Sequence, residues 1–230
     1  MSNNFQRLEL LIEKENLELL NKTTVLVIGI GGVGGYVVES LARTNIGKII
    51  LVDYDLVDTT NINRQIIALN STVGAKKTDL FKDRIKDINP NCKVVVYDMF
   101  LNKDNINEVF TEKIDYVVDC CDTVSTKYEI IRKCLEKNIK IVSSMGTGNK
   151  IDVTKLEIVD IKNTINDPLA RIIRKFVKEE FPNKKLTVLS SKELPKKIKS
   201  KTIASISFVP ATAGLLIASF IIKDIIKLWV

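Results

Sequence analysis

Residues 24–34 of the 230-residue chain read TVLVIGIGGVG, and this stretch alone indicates the class of fold. The run of apolar, mostly β-branched residues at 24–30 predicts a short buried strand. The glycines that follow predict a tight turn, and the apolar residues at helical spacing from Val33 onward predict a helix. A strand, a glycine turn and a helix in that order are typical of a Rossmann nucleotide-binding unit.

The same alternation of strands and helices continues through the first two thirds of the chain. Further strands are predicted at residues 48–53, 93–97, 114–119 and 140–145, and helices at 75–88, 125–137 and 167–180. Because strands that alternate with helices form a parallel sheet covered on both faces, we expect an α/β fold with a Rossmann-like, doubly wound and mainly parallel sheet.

After residue 148 the alternation becomes less regular. The most polar stretch, 184–201, predicts a mobile surface loop rich in lysine and serine. A strand at 203–209 and a helix at 211–228 are expected to close the chain. We predict a single domain over residues 1–230, with an N-terminal arm at 1–22, a nucleotide-binding core at 23–148 and an extension at 149–230.

The net charge and the cysteine and histidine content limit the possible partners and metal sites. The formal net charge is +7 and comes from lysines spread along the chain, so an anionic partner is permitted but not required. The chain has four cysteines, no Cys-x-x-Cys pair and no histidine, which predicts that it holds no structural zinc.

Residues 1–21 are charged and amphipathic without an apolar core, and the cysteines form no disulfide framework, so we expect a cytoplasmic protein. Residues 202–222 carry no charge and reach the roughly 20 residues that a membrane span needs. Serines and threonines dilute this stretch and Pro210 interrupts it, so we expect a buried strand and a core helix without stable membrane insertion.

The glycine turn and the next strand end predict a nucleotide site. Glycines let the backbone approach phosphate oxygens, and the helix that follows offers free N–H groups to them. An acid at the end of the second strand, Asp53, can accept hydrogen bonds from ribose hydroxyls. The predicted turn residues are Gly29, Gly31, Gly32 and Gly34. These features alone fit NAD as well as ATP.

Residues 53–65, DYDLVDTTNINRQ, and the later run GAKK at 74–77 separate the two nucleotides. Their pattern resembles the nucleotide site of the ubiquitin-activating-enzyme-like (HesA/MoeB/ThiF) superfamily, which includes molybdopterin-synthase and thiamine-biosynthesis adenylyltransferases. The resemblance implies a single adenylating domain that uses ATP and Mg²⁺. It assigns Asp53 and Asp55 to nucleotide binding and surrounds the triphosphate with Asn61, Arg64 and Lys77.

Two further roles follow from the same resemblance. Asp122, just after the fourth predicted strand, is expected to bind the magnesium ion, whereas Asp119 could instead cap the turn that follows the strand. Residues 4–8, NFQRL, resemble an N-terminal Arg-Phe-x-Arg element in which Asn4 replaces the first arginine. Arg7 is then expected to reach the active site of the partner in a homodimer. The predicted catalytic residues are Arg64, Lys77, Asp122 and Arg7.

No cysteine follows Cys134, so a thioester to a downstream cysteine is not expected. Several runs resemble the tRNA threonylcarbamoyladenosine dehydratases; they lie at residues 30–34, 60–65, 87–92 and 163–170. The resemblance implies ATP-dependent cyclisation of threonylcarbamoyladenosine in tRNA, through adenylation of the threonyl carboxylate.

A tRNA substrate would account for the positive charge, because lysines supply sequence-independent contacts to phosphates. The predicted tRNA contacts are Lys192, Lys196, Lys197, Lys199 and Lys201. A sulfur-transfer protein is a further candidate partner. Three other functions stay open on the sequence: adenylation of a ubiquitin-like sulfur carrier, an NAD-binding oxidoreductase, and a noncatalytic nucleotide-binding scaffold.

Overall fold

The computed structural model describes residues 4–200 and 202–228. Seven strands form one sheet: β1 (Thr24–Ile28), β2 (Lys48–Asp53), β3 (Lys93–Asp98), β4 (Tyr116–Asp119), β5 (Lys140–Ser144), β6 (Leu156–Asp160) and β7 (Thr187–Ser191). They lie in the order β3-β2-β1-β4-β5-β7-β6, and all neighbours are parallel except β6 and β7. The prediction of a Rossmann-like, mainly parallel sheet is confirmed.

Seven α-helices accompany the sheet in the described residues: α1 (Gln6–Ile12), α2 (Lys14–Asn21), α3 (Gly34–Arg43), α4 (Lys77–Ile88), α5 (Val124–Lys137), α6 (Pro168–Glu180) and α7 (Phe208–Ile225). One face of the sheet packs against residues of α2, α3, α4 and α7, and the other face packs against α5 and α6.

The apolar run of β1 is explained by this double cover. Val25 and Val27 enter the core on one side, whereas Leu26 and Ile28 enter the core on the other. Because successive side chains of a strand point to opposite faces, a strand buried on both faces is apolar at every position. The carboxyl ends of β1, β2, β4 and β5 consequently share one edge, hereafter the carboxyl edge.

Two predictions for the C-terminal third are wrong. The stretch expected to be a loop at 184–201 contains β7, whose Val188 and Leu189 are fully buried between β5 and β6. The strand expected at 203–209 is absent, and α7 begins at Phe208. Pro210 lies in the first turn of that helix, where a missing N–H breaks no helical hydrogen bond.

The last helix has a buried face that explains its apolar sequence. Among the described residues, α7 is the one helix long and apolar enough to cross a membrane, with a mean hydropathy of 1.7. It packs closely on α3: a Cβ added at Gly214 would lie only 2.4 Å from the carbonyl oxygen of Val33, so the two helices approach each other where Gly214 has no side chain. Ala213, Ile217 and Ile221 are fully buried in the same core. The absence of membrane insertion stays a prediction.

Candidate nucleotide site at the carboxyl edge

The glycine turn between β1 and α3 is built for close backbone approach. Gly29 adopts a φ of 79°, and a Cβ at this position would lie 2.8 Å from the carbonyl oxygen of Cys120. A Cβ at Gly34 would lie 1.9 Å from the carbonyl oxygen of Gly29, so any side chain there would displace the start of α3. Gly31 and Gly32 form the bend between them. The N-terminal N–H groups of α3 are thereby presented at the carboxyl edge.

Asp53 ties this turn to the end of β2. Its Oδ2 accepts a hydrogen bond from the backbone N–H of Ile30 at 2.8 Å, and its Oδ1 accepts one from that of Asp55 at 2.9 Å. Burial raises the pKa of Asp53 above its ordinary value, although the N–H of Asp55 and the charge of Lys77 oppose the rise. Each carboxylate oxygen still has capacity for another donor, so the predicted ribose contact is compatible with this geometry.

Lys77 is the first residue of α4 and is 97% buried, with only 3% of its surface exposed. Its Nζ donates to Asp55 Oδ2 at 2.6 Å. An ammonium group has three donors, and among the described residues Asp55 Oδ2 is the one acceptor that the ammonium of Lys77 contacts. The lysine therefore retains hydrogen-bonding capacity next to Asp55, near enough to Asp53 for its charge to act on that carboxyl.

The side chain of Arg64 lies over the glycine turn. Its Nη1 donates to the carbonyl oxygen of Thr60 at 2.7 Å and to Asn63 Oδ1 at 3.0 Å. Its Cγ is 3.4 Å from the point that a Cβ would occupy at Gly32, which shows how closely the side chain covers the turn.

Asn61 is part of the short 3-10 helix Thr59–Asn61 that positions Arg64. It is 9% exposed, and its Oδ1 accepts the backbone N–H of Asp58 at 3.2 Å. The backbone N–H of Arg64 in turn donates to the carbonyl oxygen of Asn61 at 3.0 Å. The structure thus gives Asn61 a positioning contact; the predicted contact to a triphosphate stays a prediction.

The two acids after β4 have opposite environments. Asp119 is fully buried and accepts hydrogen bonds from Lys127 Nζ at 2.8 Å and Ser143 Oγ at 2.6 Å through Oδ2. Its Oδ1 also accepts the backbone N–H of Cys121 at 3.2 Å, which is the cap predicted as the alternative to a metal role. Asp122, by contrast, is exposed.

Asp122 lies on the same side of the sheet edge as the acids that follow β2. The charge of Asp55, together with slight burial and the charges of Asp122 and Asp53, raises the pKa of Tyr54. No cluster of three or more metal-ligating side chains occurs in residues 4–200 and 202–228. A metal ion held here would accordingly depend on phosphate oxygens or water for most of its ligands.

The cysteines beside Asp122 are poor nucleophiles. Burial is the main cause that raises the pKa of Cys120 to about 12, and it also raises the pKa of Cys121. Burial raises the pKa of Cys92 to about 11 and that of Cys134 as well. Because the thiolate is the reactive form, these thiols are unreactive near neutral pH.

The segment at residues 202–207, just before α7, lies next to the turn after β5. Asn149 donates its backbone N–H to the carbonyl oxygen of Ala204 at 2.7 Å, and its Oδ1 accepts the backbone N–H of Ala204 at 2.8 Å. Asn63 Nδ2 donates to the carbonyl oxygen of Ser205 at 3.1 Å. The segment therefore joins the Arg64 motif to the turn at 146–149. Sequence patterns could not reveal these contacts, since each spans more than fifty residues.

The remaining predicted residues are Arg7 and the lysines predicted to contact tRNA. Arg7 is exposed on α1. Lys192 pairs with Glu157 at 2.5 Å, whereas Lys196, Lys197 and Lys199 are exposed. Lys201 lies outside the described residues. The contacts proposed for these side chains involve other molecules and stay predictions.

Comparison with known proteins agrees with this geometry. The ThiF family matches residues 3–228. The tRNA threonylcarbamoyladenosine dehydratase of Bacillus subtilis is 41% identical over 244 residues, covering 99% of this chain and 96% of that protein. The Escherichia coli enzyme of that name is 42% identical over 72% of this chain and 62% of its own. The structure of E. coli TcdA in complex with ATP superposes with a TM-score of 0.91 at 35% identity, covering 97% of this chain and 94% of that one.

Proposed function

The chain belongs to the ThiF family, and on that premise we propose that it is an ATP-dependent tRNA threonylcarbamoyladenosine dehydratase. The observation that carries the proposal is the position of Arg64 over Gly32, together with Lys77 bound to Asp55 just after β2, in a chain 41% identical over nearly its full length to a protein with that name. A dinucleotide oxidoreductase has less use for two cations at this position.

ATP binds with its phosphates against the turn at Gly31 and Gly32. Arg64 and Lys77 offset the negative charge that grows on the pyrophosphate leaving group, because a guanidinium grips two oxygens at once and an ammonium acts as a compact charge. Asp53 accepts a hydrogen bond from a ribose hydroxyl. When ATP binds, the ammonium of Lys77 donates a hydrogen bond to a phosphate oxygen. It does so either in addition to its hydrogen bond to Asp55 or in place of it.

Asp122 is the carboxylate that suits a magnesium ion, because it is exposed at the carboxyl edge. Asp119, by contrast, is buried and accepts hydrogen bonds from Lys127 and Ser143. The ion supplies positive charge that screens the phosphates when bound. The chain's own contribution is one carboxylate that orients it.

The reaction consists of two substitutions. A threonyl carboxylate oxygen attacks the α-phosphorus of ATP, and the bond to pyrophosphate breaks. The carbamoyl oxygen or nitrogen of the same substrate then attacks the acyl carbon, AMP leaves with the former carboxylate oxygen, and the carbamoyl group loses a proton to solvent. The net change in the tRNA is loss of one water. Ring closure is intramolecular and thus favoured by proximity.

No protein nucleophile takes part in this sequence. The pKa of Cys120 is raised to about 12, mainly by burial, and the pKa of Cys121 is raised for the same main reason. No cysteine follows Cys134 in the chain. These properties support direct closure of the substrate over transfer to an enzyme thiol.

A homodimer with Arg7 at the partner's triphosphate completes the site. Arg7 is exposed on α1, and the same helix leaves Leu10 and Leu11 exposed at 81% and 80% of their surface. Burial of such side chains against a second copy would favour association.

The protein acts in the cytoplasm, where its tRNA substrate occurs. Lys196, Lys197 and Lys199 contact tRNA phosphates, and a sulfur-transfer protein is a candidate partner.

Mass spectrometry of nucleosides tests the proposal. The protein is incubated with ATP, magnesium and tRNA that carries threonylcarbamoyladenosine, and the expected product is the nucleoside lighter by one water, formed together with AMP. The Lys77→Met variant is the matched control and should leave the nucleoside unchanged. Unchanged nucleoside with the wild-type protein, combined with AMP formation on a carrier protein ending in glycine, would assign the chain to the sulfur-carrier adenylyltransferases instead.

A further inference from the structure

Three aromatic side chains are exposed in the part of the chain that the structure describes: Tyr54 after β2, Phe100 after β3, and Phe208 at the start of α7. The rings of Tyr54 and Phe100 contact each other, with centroids 5.1 Å apart. Phe208 is 45% exposed and has no ring contact among the described residues. The steps proposed for ATP and for ring closure leave this side chain unused.

The start of α7 lies against the nucleotide site. The Cβ of Pro210 is 3.4 Å from the point that a Cβ would occupy at Gly32. Three residues before Phe208, Ser205 is held by Asn63, whose Nδ2 donates to the carbonyl oxygen of Ser205 at 3.1 Å and to its Oγ at 3.2 Å. Phe208 lies between these two contacts in the chain, so its ring is presented beside the glycine turn.

The chain just before α7 also carries positive charge. Asn149 accepts the backbone N–H of Lys196 at 2.7 Å and donates its own N–H to the carbonyl oxygen of Ala204 at 2.7 Å. Its Oδ1 accepts the backbone N–H of Ala204 at 2.8 Å. Asn149 thus brings Lys196 close to the segment that leads into α7. The exposed lysines near this point are Lys196, Lys197 and Lys199.

We infer that Phe208 is a tRNA-binding residue whose ring stacks on an unpaired base next to the modified nucleoside. This inference rests on the proposed tRNA substrate. Proteins recognise single-stranded RNA by stacking its bases on aromatic side chains while basic residues follow the backbone. The threonyl carboxylate has to reach ATP at the glycine turn, which brings the neighbouring bases to the start of α7. Burial of Phe208 against a second copy of the chain is the competing use of this ring.

Steady-state turnover of the full chain at varied tRNA concentration tests the inference. The variants are Phe208→Ala, Phe208→Trp, and the matched control Leu215→Ala, which removes a 48% exposed side chain seven residues further along α7. We expect Phe208→Ala to raise the KM for tRNA about five- to a hundredfold, as loss of one base-stacking platform implies. Its kcat and its affinity for ATP, measured by calorimetry, should stay within about twofold of the wild type. Phe208→Trp and Leu215→Ala should keep the KM of the wild type.

Fluorescence and sedimentation give readouts that a merely structural role would not produce. The indole introduced by Phe208→Trp should lose fluorescence when tRNA is added, because a stacked base quenches it, and the wild type with its Trp229 provides the reference signal. An unchanged KM in Phe208→Ala would overturn the inference. An equal rise of the KM in both alanine variants, or a smaller sedimenting species in Phe208→Ala alone, would also overturn it, the latter because it assigns the ring to a subunit contact. Failure of the wild type to convert the tRNA would instead contradict the proposed function.

Discussion

Two lysine–aspartate pairs at the carboxyl edge have the same construction and opposite surroundings. In each, a carboxylate near the end of a strand meets a buried lysine in the first turn of the following helix: Asp55 with Lys77 after β2, and Asp119 with Lys127 after β4. The side chain of Asp55 is 45% exposed, whereas those of Asp119 and Lys127 are completely buried.

The difference lies in how many hydrogen bonds each ammonium makes. Lys127 Nζ donates to Asp119, to Ser143 Oγ at 3.3 Å and to the carbonyl oxygen of Ser144 at 3.0 Å, so its three donors are used. Burial alone would lower the pKa of Lys127, but the charge of Asp119 raises it on balance and keeps the lysine protonated. The Asp119–Lys127 pair is thus a closed structural unit, while Lys77 can accept a further ligand.

Replacement of the lysine in the closed pair should have the largest effect, and this effect is on the stability of the fold. Lys127→Met leaves the buried charge of Asp119 without its partner, so we expect the free energy of unfolding to fall by about 3–5 kcal/mol. Urea denaturation followed by circular dichroism measures this loss. A variant as stable as the wild type would show that the pair is not a structural unit.

Removal of the open lysine should act on chemistry. Lys77→Met leaves Asp55 half exposed to water, so the fold is expected to persist. Loss of a cation that stabilises the leaving pyrophosphate should lower ATP turnover by about 10²–10³-fold. Pyrophosphate release measures turnover, and the melting temperature serves as the control. Turnover within a few fold of the wild type would remove Lys77 from the site.

Asp122 sharpens the comparison further, because it is the exposed acid three residues after the buried Asp119. We expect Asp122→Asn to raise the magnesium concentration needed for half-maximal turnover by about tenfold, since one charged oxygen ligand becomes neutral. Turnover measured against magnesium concentration gives this value. An unchanged magnesium requirement would mean that Asp122 does not bind the ion.

The smallest effect is expected at the thiol between the two acids. With its pKa raised to about 12, Cys120 remains a thiol throughout the neutral range, so Cys120→Ala should keep turnover within about twofold of the wild type. Alkylation should become appreciable only as the pH approaches that pKa, and peptide mass spectrometry after iodoacetamide treatment follows it. Complete loss of turnover in Cys120→Ala with an intact fold would restore a thiol-based mechanism.

The N-terminal two thirds could be predicted from the sequence because its signals are local. The β-branched runs of β1 and β2, the glycine turn and the helical spacing of α5 each lie within a short window, and the predicted elements match the structure there. The strand β7 could not be predicted because Ser190 and Ser191, although buried, make it resemble a loop. Its place between β5 and β6 depends on contacts across the sheet.

The candidate site divides in the same way. The glycines, Asp53, Arg64 and Lys77 fall in short motifs that the sequence shows; the structure brings Asp53 and Arg64 to the glycine turn and pairs Lys77 with Asp55. The separation of Asp119 from Asp122 could not be deduced from spacing, because the partner of Asp119 on β5, Ser143, lies 24 residues away.

The fate of ATP tests the central claim most directly. Phosphorus NMR of a reaction containing the protein, ATP, magnesium and tRNA with threonylcarbamoyladenosine should show AMP and pyrophosphate, formed in step with the loss of one water from the modified nucleoside. Lys77→Met should form both products about 10²–10³-fold more slowly. Formation of ADP and inorganic phosphate, or loss of water without ATP consumption, would contradict adenylation at this site.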